Sequence, residues 1–277
     1  MLGPISPLRV RWPHSLLRIM IFLRALLFNI FFYGFTVLAC FVLVPLVLFP
    51  RDTILKAVCF WTGGVAWIEK HILGLTYEIR GAEHKPAQGT YIVAAKHQSA
   101  YETMKLHHLF GDPTIVLKKE LLSIPLFGTF LKKVGVIAIN RKNKDEAVAA
   151  ILEGAQRMAD QNRPIVIFPQ GTRVAPETTA AQKPYKGGIV KLYKNTDLPI
   201  LPLALNSGLF WRRNSFIKRP GHVVFEFLPV IENGLPEKKV MKALEDRIES
   251  KSNALMEEAA RQNPALTYTK RLPVLEK

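Results

Sequence analysis

The stretch Tyr91-Ile92-Val93-Ala94-Ala95-Lys96-His97-Gln98-Ser99-Ala100-Tyr101-Glu102-Thr103 decides how this chain folds. Five residues that read as a buried strand run straight into a histidine, a polar break, and a carboxylate where a helical pattern begins. On one continuous helix, residues five apart are turned about 140° from each other. His97 must therefore lie in the loop before the helix if it is to face Glu102. A histidine just past a buried strand, with a carboxylate five residues on, is the arrangement a hydroxyl-activating general base needs. The same letters have a purely structural reading: Ser99-Ala100-Tyr101-Glu102 is a capping box, with Ser99 as N-cap and Glu102 reaching back to the backbone. The sequence leaves both readings open.

Working outward, Ile165-Val166-Ile167-Phe168-Pro169-Gln170-Gly171-Thr172-Arg173 repeats the layout with an arginine and a tight glycine turn. Short β-branched or apolar runs bounded by turn residues recur at 75–80, 90–95, 114–117, 134–139, 164–168, 199–205 and 223–227. Helical patterns fall at 100–109, near 120–131, at 145–161, at 187–195, and over 236–263 with Val240, Leu244, Ile248 and Leu255 on its inner side. Strands alternating with helices predict an α/β domain on a mixed, mostly parallel central sheet flanked by helices. The run 199–205 carries two prolines and no catalytic group, which reads as an edge strand shaping an apolar pocket.

The N-terminal region differs. Residues 25–49 are apolar except for Asn29, Tyr33, Gly34 and Thr36, long enough at about 1.5 Å per residue to cross a bilayer core. Arg9, Arg11, Arg18 and Arg24 precede or open this run, which by the positive-inside bias keeps the N-terminus cytoplasmic. A single span would then carry the rest of the chain to the other side. The conflict is eased if Pro50-Arg51-Asp52 turns and 53–73 folds back as an amphipathic helix. Its apolar side would be Ile54, Val58, Trp61, Val65, Trp67, Ile68 and Ile72, against Arg51, Lys56, Glu69 and Lys70. The expected organisation is an anchor at 1–73, either a hairpin or a single span plus an amphipathic helix. A domain follows at 74–266, and a tail at 267–277.

Composition narrows the partners. Among 277 residues, 38 Lys plus Arg stand against 22 Asp plus Glu, a net charge of +16, with a pI near 9.9 and a mean hydropathy of +0.12. Removing the four N-terminal arginines leaves +12, so the main domain is basic too. That balance fits an anionic membrane surface. Nucleic acid is disfavoured, because no RNP, zinc or helix-turn-helix pattern accompanies the charge. Only Cys40 and Cys59 occur, both in apolar segments, so neither a disulfide framework nor a cysteine metal site is expected. His107-His108 lacks metal-site spacing and reads as a pair of helix-end residues.

His97 with Glu102, Ile137-Ala138-Ile139-Asn140-Arg141, Phe168 to Arg173, and Leu198-Pro199-Ile200-Leu201-Pro202-Leu203 resemble, in order and spacing, the four blocks of the glycerolipid acyltransferases. The tightest likeness is to the branch that acylates lysophosphatidic acid. Glu102, Gln170 and Asn140 stand where that family usually has aspartate, glutamate and aspartate.

The resemblance implies a glycerol-phosphate acyltransferase-like fold with an N-terminal membrane-anchoring helical hairpin. His97 would be the base and Glu102 its orienter. Lys118, Arg141 and Arg173 would grip a phosphate, Gln170 would fix the glycerol, and Gly171 and Thr172 would form the turn around them. It further implies acyl-CoA or acyl-carrier protein as donor, with no cofactor and no metal. The acceptor would be lysophosphatidic acid at an anionic phospholipid membrane, with the domain on the cytoplasmic face (the inner membrane in a bacterium). Direct transfer is expected, since Ser99 lacks a nucleophile's glycine elbow and the thioester is already activated. The alternatives are another lyso-lipid acceptor, such as lyso-ornithine lipid, and a non-catalytic basic membrane-surface protein on the same fold.

Overall fold

A computed structural model describes residues 14–263 and residue 266; Arg9, Arg11 and the expected tail at 267–277 lie outside the described residues. Seven strands, β1 (Leu75–Arg80), β2 (Ile92–Ala95), β3 (Thr114–Lys118), β4 (Ile137–Ile139), β5 (Ile165–Ile167), β6 (Ile200–Leu205) and β7 (Gly221–Phe227), form one sheet in the order β1-β7-β6-β2-β5-β3-β4. Every pairing is parallel except β6 with β7. This is the mixed, mostly parallel sheet the alternation of strands and helices predicts. Among the described residues seven α-helices accompany it: α1 (His14–Leu43), α2 (Arg51–Ile68), α3 (Tyr101–Phe110), α4 (Phe127–Val134), α5 (Lys144–Ala159), α6 (Gly188–Thr196) and α7 (Glu237–Gln262).

The strand period of two sorts β2 between two cores. Tyr91, Val93 and Ala95 join a cluster with α3 and the N-terminal helices, including Phe28, Val65, Tyr101 and Leu106. Ile92 and Ala94 join the opposite cluster with α5, α6 and α7, including Ile151, Leu192 and Val240. Buried on both faces, such a strand must be apolar throughout, which is why 91–95 reads as an unbroken run. Val240, Leu244, Ile248 and Leu255 are all buried on the inner side of α7, as expected.

Three local expectations shift. The helix near 120–131 is split into a 3-10 turn, Lys119–Ser123, and α4, because Pro125 holds Ile124 extended at ψ 121°. The run at 134–139 starts as strand only at Ile137, since Val134 ends α4 and Gly135 caps it at φ 84°. The run at 199–205 is not an edge strand: β6 lies between β7 and β2, with all six residues buried. Pro202 is tolerated there because it still accepts from the Leu228 N–H at 3.0 Å, keeping the acceptor half of that exchange.

The N-terminal hairpin forms. After α1 a 3-10 turn, Val44–Leu48, leads to Pro50, and α2 starts at Arg51, two residues before the expected Thr53. The return leg runs back along α1: Trp61 Nε1 donates to Thr36 Oγ1 at 3.2 Å, and Arg24 lies beside Gly74. Both ends of α2 are fixed to the domain. Arg51 donates to the two Asp112 oxygens at 2.7 and 2.5 Å and to the Val134 carbonyl. At the other end Glu69, expected on the polar side, is 1% exposed and accepts from Lys105 Nζ at 2.5 Å. A carboxylate can be buried here because α3 supplies the countercharge from a distant part of the chain. Trp67, expected on the inner side, is exposed and packs on His71 at 4.5 Å. The helical stretch Ser15–Leu48 is long and apolar enough to cross a membrane, and almost none of its most apolar window is buried.

Candidate active site

β2, β5 and β6 are adjacent and parallel, so their carboxyl ends open into one crevice. The strand order also reverses around β2, the place where open α/β sheets gather ligands and reactive groups. Each strand contributes its following residues: His97 after β2, Phe168 to Arg173 after β5, Asn206 to Gly208 after β6.

His97 Nδ1 lies 2.9 Å from Glu102 Oε1. The carboxylate is 1% exposed and saturated with donors. Oε1 also accepts the Gln98 and Ser99 N–H groups at 2.7 Å each, and Oε2 accepts Ser207 Oγ at 2.7 Å. Glu102 therefore makes both contacts at once, reaching back to the backbone as a capping carboxylate and meeting the histidine. The N-cap detail differs: Ser99 Oγ accepts from Tyr101 N at 3.0 Å, and the capping position falls on Ala100. A carboxylate with no proton of its own requires Nδ1 to be the donor, which leaves Nε2 as the basic nitrogen. The extra methylene of glutamate over aspartate is absorbed without loss of the contact. Phe168 stacks flat on the imidazole at 4.0 Å and fixes the ring plane from the other side.

The supporting loops are tied down. Buried Lys96 donates to Glu249 on α7 at 2.7 Å, and Tyr185 donates to the same carboxylate at 3.0 Å. Gln98 Oε1 accepts Gly208 N at 3.0 Å; a Cβ on Gly208 would come within 2.9 Å of Gln98 Cβ, so only glycine allows this approach. Asn206, Ser207 and Gly208 escaped the sequence reading. Their signal was present as a small polar run at the carboxyl end of a buried strand.

His97 lines a cavity of about 810 Å³. Thr36, Ala39, Leu43, Ala57, Val58 and Trp61 of the hairpin wall it, together with Met104, Leu131, Ile139 and Phe168, so it is largely apolar. Its polar lining includes Lys118, Arg141, Gly171 and Lys186. Arg141 donates to the Gly171 carbonyl at 2.6 Å, and burial holds its guanidinium below the ordinary range. Lys118 is half-exposed and pairs with Glu120 at 3.0 Å. Gln170, Thr172 and Arg173 do not line the cavity. Gln170 is buried in the turn, donating weakly to Lys183 O at 3.4 Å, with its Oε1 unpartnered. Asn140 shapes the turn before α5, accepting from Lys142 N and donating to Glu146. His107 and His108 bond to Gly111 O, Tyr77 and Thr62, and among the described residues no cluster of metal-ligating side chains occurs.

A histidine–carboxylate pair thus stands at the carboxyl end of a parallel sheet and opens on an apolar cavity with a cationic lining. Residues 76–206 match the model of the Acyltransferase family. The chain is 32% identical over 163 residues to the 1-acyl-sn-glycerol-3-phosphate acyltransferase of Pseudomonas aeruginosa, 59% of this chain and 62% of that one. It is 31% identical over 172 residues to the enzyme of the same name from Cocos nucifera, 61% of this chain and 54% of that one. The chain thus spans about half to three-fifths of the length of the curated relatives it matches. Its fold is that of the 1-acyl-sn-glycerophosphate (LPA) acyltransferase of Thermotoga maritima: TM-score 0.68, 17% identity, covering 84% of this chain and 97% of that one.

Proposed function

We propose that this protein is a 1-acylglycerol-3-phosphate O-acyltransferase. It would move a fatty acyl group from acyl-CoA or acyl-carrier protein to the sn-2 hydroxyl of lysophosphatidic acid, giving phosphatidic acid for phospholipid biosynthesis. The observation that carries this reading is the His97–Glu102 pair at the wall of the apolar cavity, with Glu102 held by three further donors. The names of the relatives support the acceptor.

In this reading Nε2 of His97 takes the proton of the acceptor hydroxyl as its oxygen attacks the thioester carbonyl. Glu102 keeps the tautomer and stabilises the imidazolium. The tetrahedral intermediate then expels the thiolate, the imidazolium returns the proton to sulfur, and ester and thiol leave. Arg141, with Lys118, supplies the cationic grip on the acceptor phosphate, and Arg141 is suited to it by its planar fork; Arg173 stands outside the cavity wall. Gln170 and Thr172 shape the turn from behind, and Gly171, which lines the cavity, brings it to the glycerol end of the acceptor. The exposed apolar side of α1, with Phe60 and Trp67 of α2, lies in one leaflet, so that the acceptor enters the cavity from the lipid. The catalytic domain then faces the cytoplasm, where soluble donors are found.

The test is transfer in mixed micelles from labelled acyl-CoA or acyl-carrier protein to a panel of lyso-acceptors, with His97→Ala alongside. Histidine-dependent acylation of lysophosphatidic acid above the other acceptors supports the reading. Transfer only to an acceptor without phosphate, such as lyso-ornithine lipid, changes the substrate. No transfer from either donor leaves a basic membrane-surface protein.

A further inference from the structure

We infer that Lys186 is a phosphate-binding residue of this reaction, acting with Arg141 around Gly171; the inference rests on the acyltransferase reading. Lys186 lies outside the four sequence blocks, yet its backbone N–H donates to Pro169 O at 2.9 Å and brings it back over the β5 turn. Gly171 has φ +68°, and a Cβ built there would come within 2.9 Å of Lys186 Cε and 3.0 Å of Nζ. The carbonyl of the same glycine accepts from Arg141 at 2.6 Å. Two cations from separate segments therefore meet at one residue, and both line the cavity that His97 lines.

Among the described residues no carboxylate lies within ion-pair distance of Lys186 Nζ, whereas Lys118 has Glu120. Glu120 acts on Arg141 but forms no ion pair with Lys186, and an anion placed between the two cations is attracted by both. A phosphate ester carries the required charge and has oxygens enough for a planar guanidinium and an ammonium together. The backbone of Lys186 is also held in place: the adjacent Tyr185 is buried and bonded to Glu249, and Gly187 caps the start of α6. The side chain is exposed, so its charge is not needed for folding.

The phosphate could be that of the acceptor or one of those on the donor, and steady-state kinetics separate the two. The full-length protein in mixed micelles is compared with Lys186→Met and Lys186→Arg, varying lysophosphatidic acid and acyl-CoA independently, with monoacylglycerol as a phosphate-free acceptor. Losing one charge-assisted contact raises the relevant KM roughly tenfold to a hundredfold, and arginine recovers most of it. A rise confined to lysophosphatidic acid, absent with monoacylglycerol, assigns the lysine to the acceptor. A rise confined to acyl-CoA assigns it to the donor. Unchanged KM values for both substrates, or an equal loss with both acceptors at constant KM, overturn the inference. Binding of lysophosphatidic acid micelles without donor, compared between wild type and Lys186→Met, reads the lysine without turnover. Wild type that neither binds nor transfers refutes the acyltransferase reading; wild type that does both, with Lys186→Met its equal, refutes only the role of Lys186.

Discussion

Glu102 uses one oxygen to hold the loop from His97 to Ser99 in a single shape, while the other accepts from Ser207. Glu102→Gln replaces one acceptor oxygen with a donor that must face N–H groups or the Ser207 hydroxyl. We expect kcat to fall by roughly a thousandfold or more with little change in either KM, because the imidazole loses its tautomer. Single-turnover transfer measures it, and Glu102→Asp should retain more activity than the amide. Ser207→Ala removes one charge-assisted bond from a buried carboxylate. It should reduce kcat about tenfold and lower stability by about 1–3 kcal/mol, read from a urea titration. Gly171→Ala strains a left-handed backbone and pushes Lys186 aside, so it should impair activity more than stability. The His97–Glu102 pair was legible because both partners lie within five residues and the helical period fixes their relation. Ser207 was not, because it reaches Glu102 only through the pairing of β6 beside β2.

At the scale of elements, α2 is joined to α3 by Glu69 and Lys105, whose side chains are 1% and 0% exposed. Lys105 also lies over the Tyr101 ring at 4.7 Å, one turn from Glu102, so the pair links the N-terminal hairpin to the helix that carries Glu102. Removing one charge strands the other. Lys105→Met should lower stability by about 3–5 kcal/mol, and the double change Glu69→Leu with Lys105→Met should recover most of it. Chemical denaturation of the three variants checks this. Burial pushes Glu69 from 4.5 up to about 7, with Lys105 opposing the shift. Between these values the folded protein holds a proton that the unfolded chain has lost, so this group's contribution to stability falls as pH rises through that window. Glu69→Gln should flatten the slope of stability against pH from about 4.5 to about 7. None of this was legible: helical periodicity placed Glu69 among polar neighbours, and only the packing of α3 against α2 turned that side inward. The strands fared better, since turn residues and apolar runs are local signals, and all seven formed where runs had been read.

At the scale of the whole molecule, the hairpin lies along the domain and leaves one apolar side uncovered. α1 is docked through Asn29, which accepts from buried Lys218 at 3.0 Å, and through Phe28, edge-on to Trp211 at 5.2 Å. Val37 and Phe41 are on its outer side, 54% and 68% exposed. Val37→Asp with Phe41→Asp should therefore abolish cosedimentation with anionic vesicles while leaving the melting temperature within a few degrees of wild type. With a net charge of +16, vesicle binding should also weaken as salt is raised from low to physiological ionic strength. By itself the sequence determined the class of fold, the strands, the histidine–carboxylate pair and the long apolar helix, because each depends on residues close in the chain and on simple periodicity. Only the tertiary structure decided that β6 is central, that Glu69 is buried against Lys105, that Ser207 completes the hold on Glu102, and that Lys186 and Arg141 both come to Gly171. Those contacts join residues far apart in sequence, and their energies come from desolvation and charge pairing that exist only after the chain has closed around them.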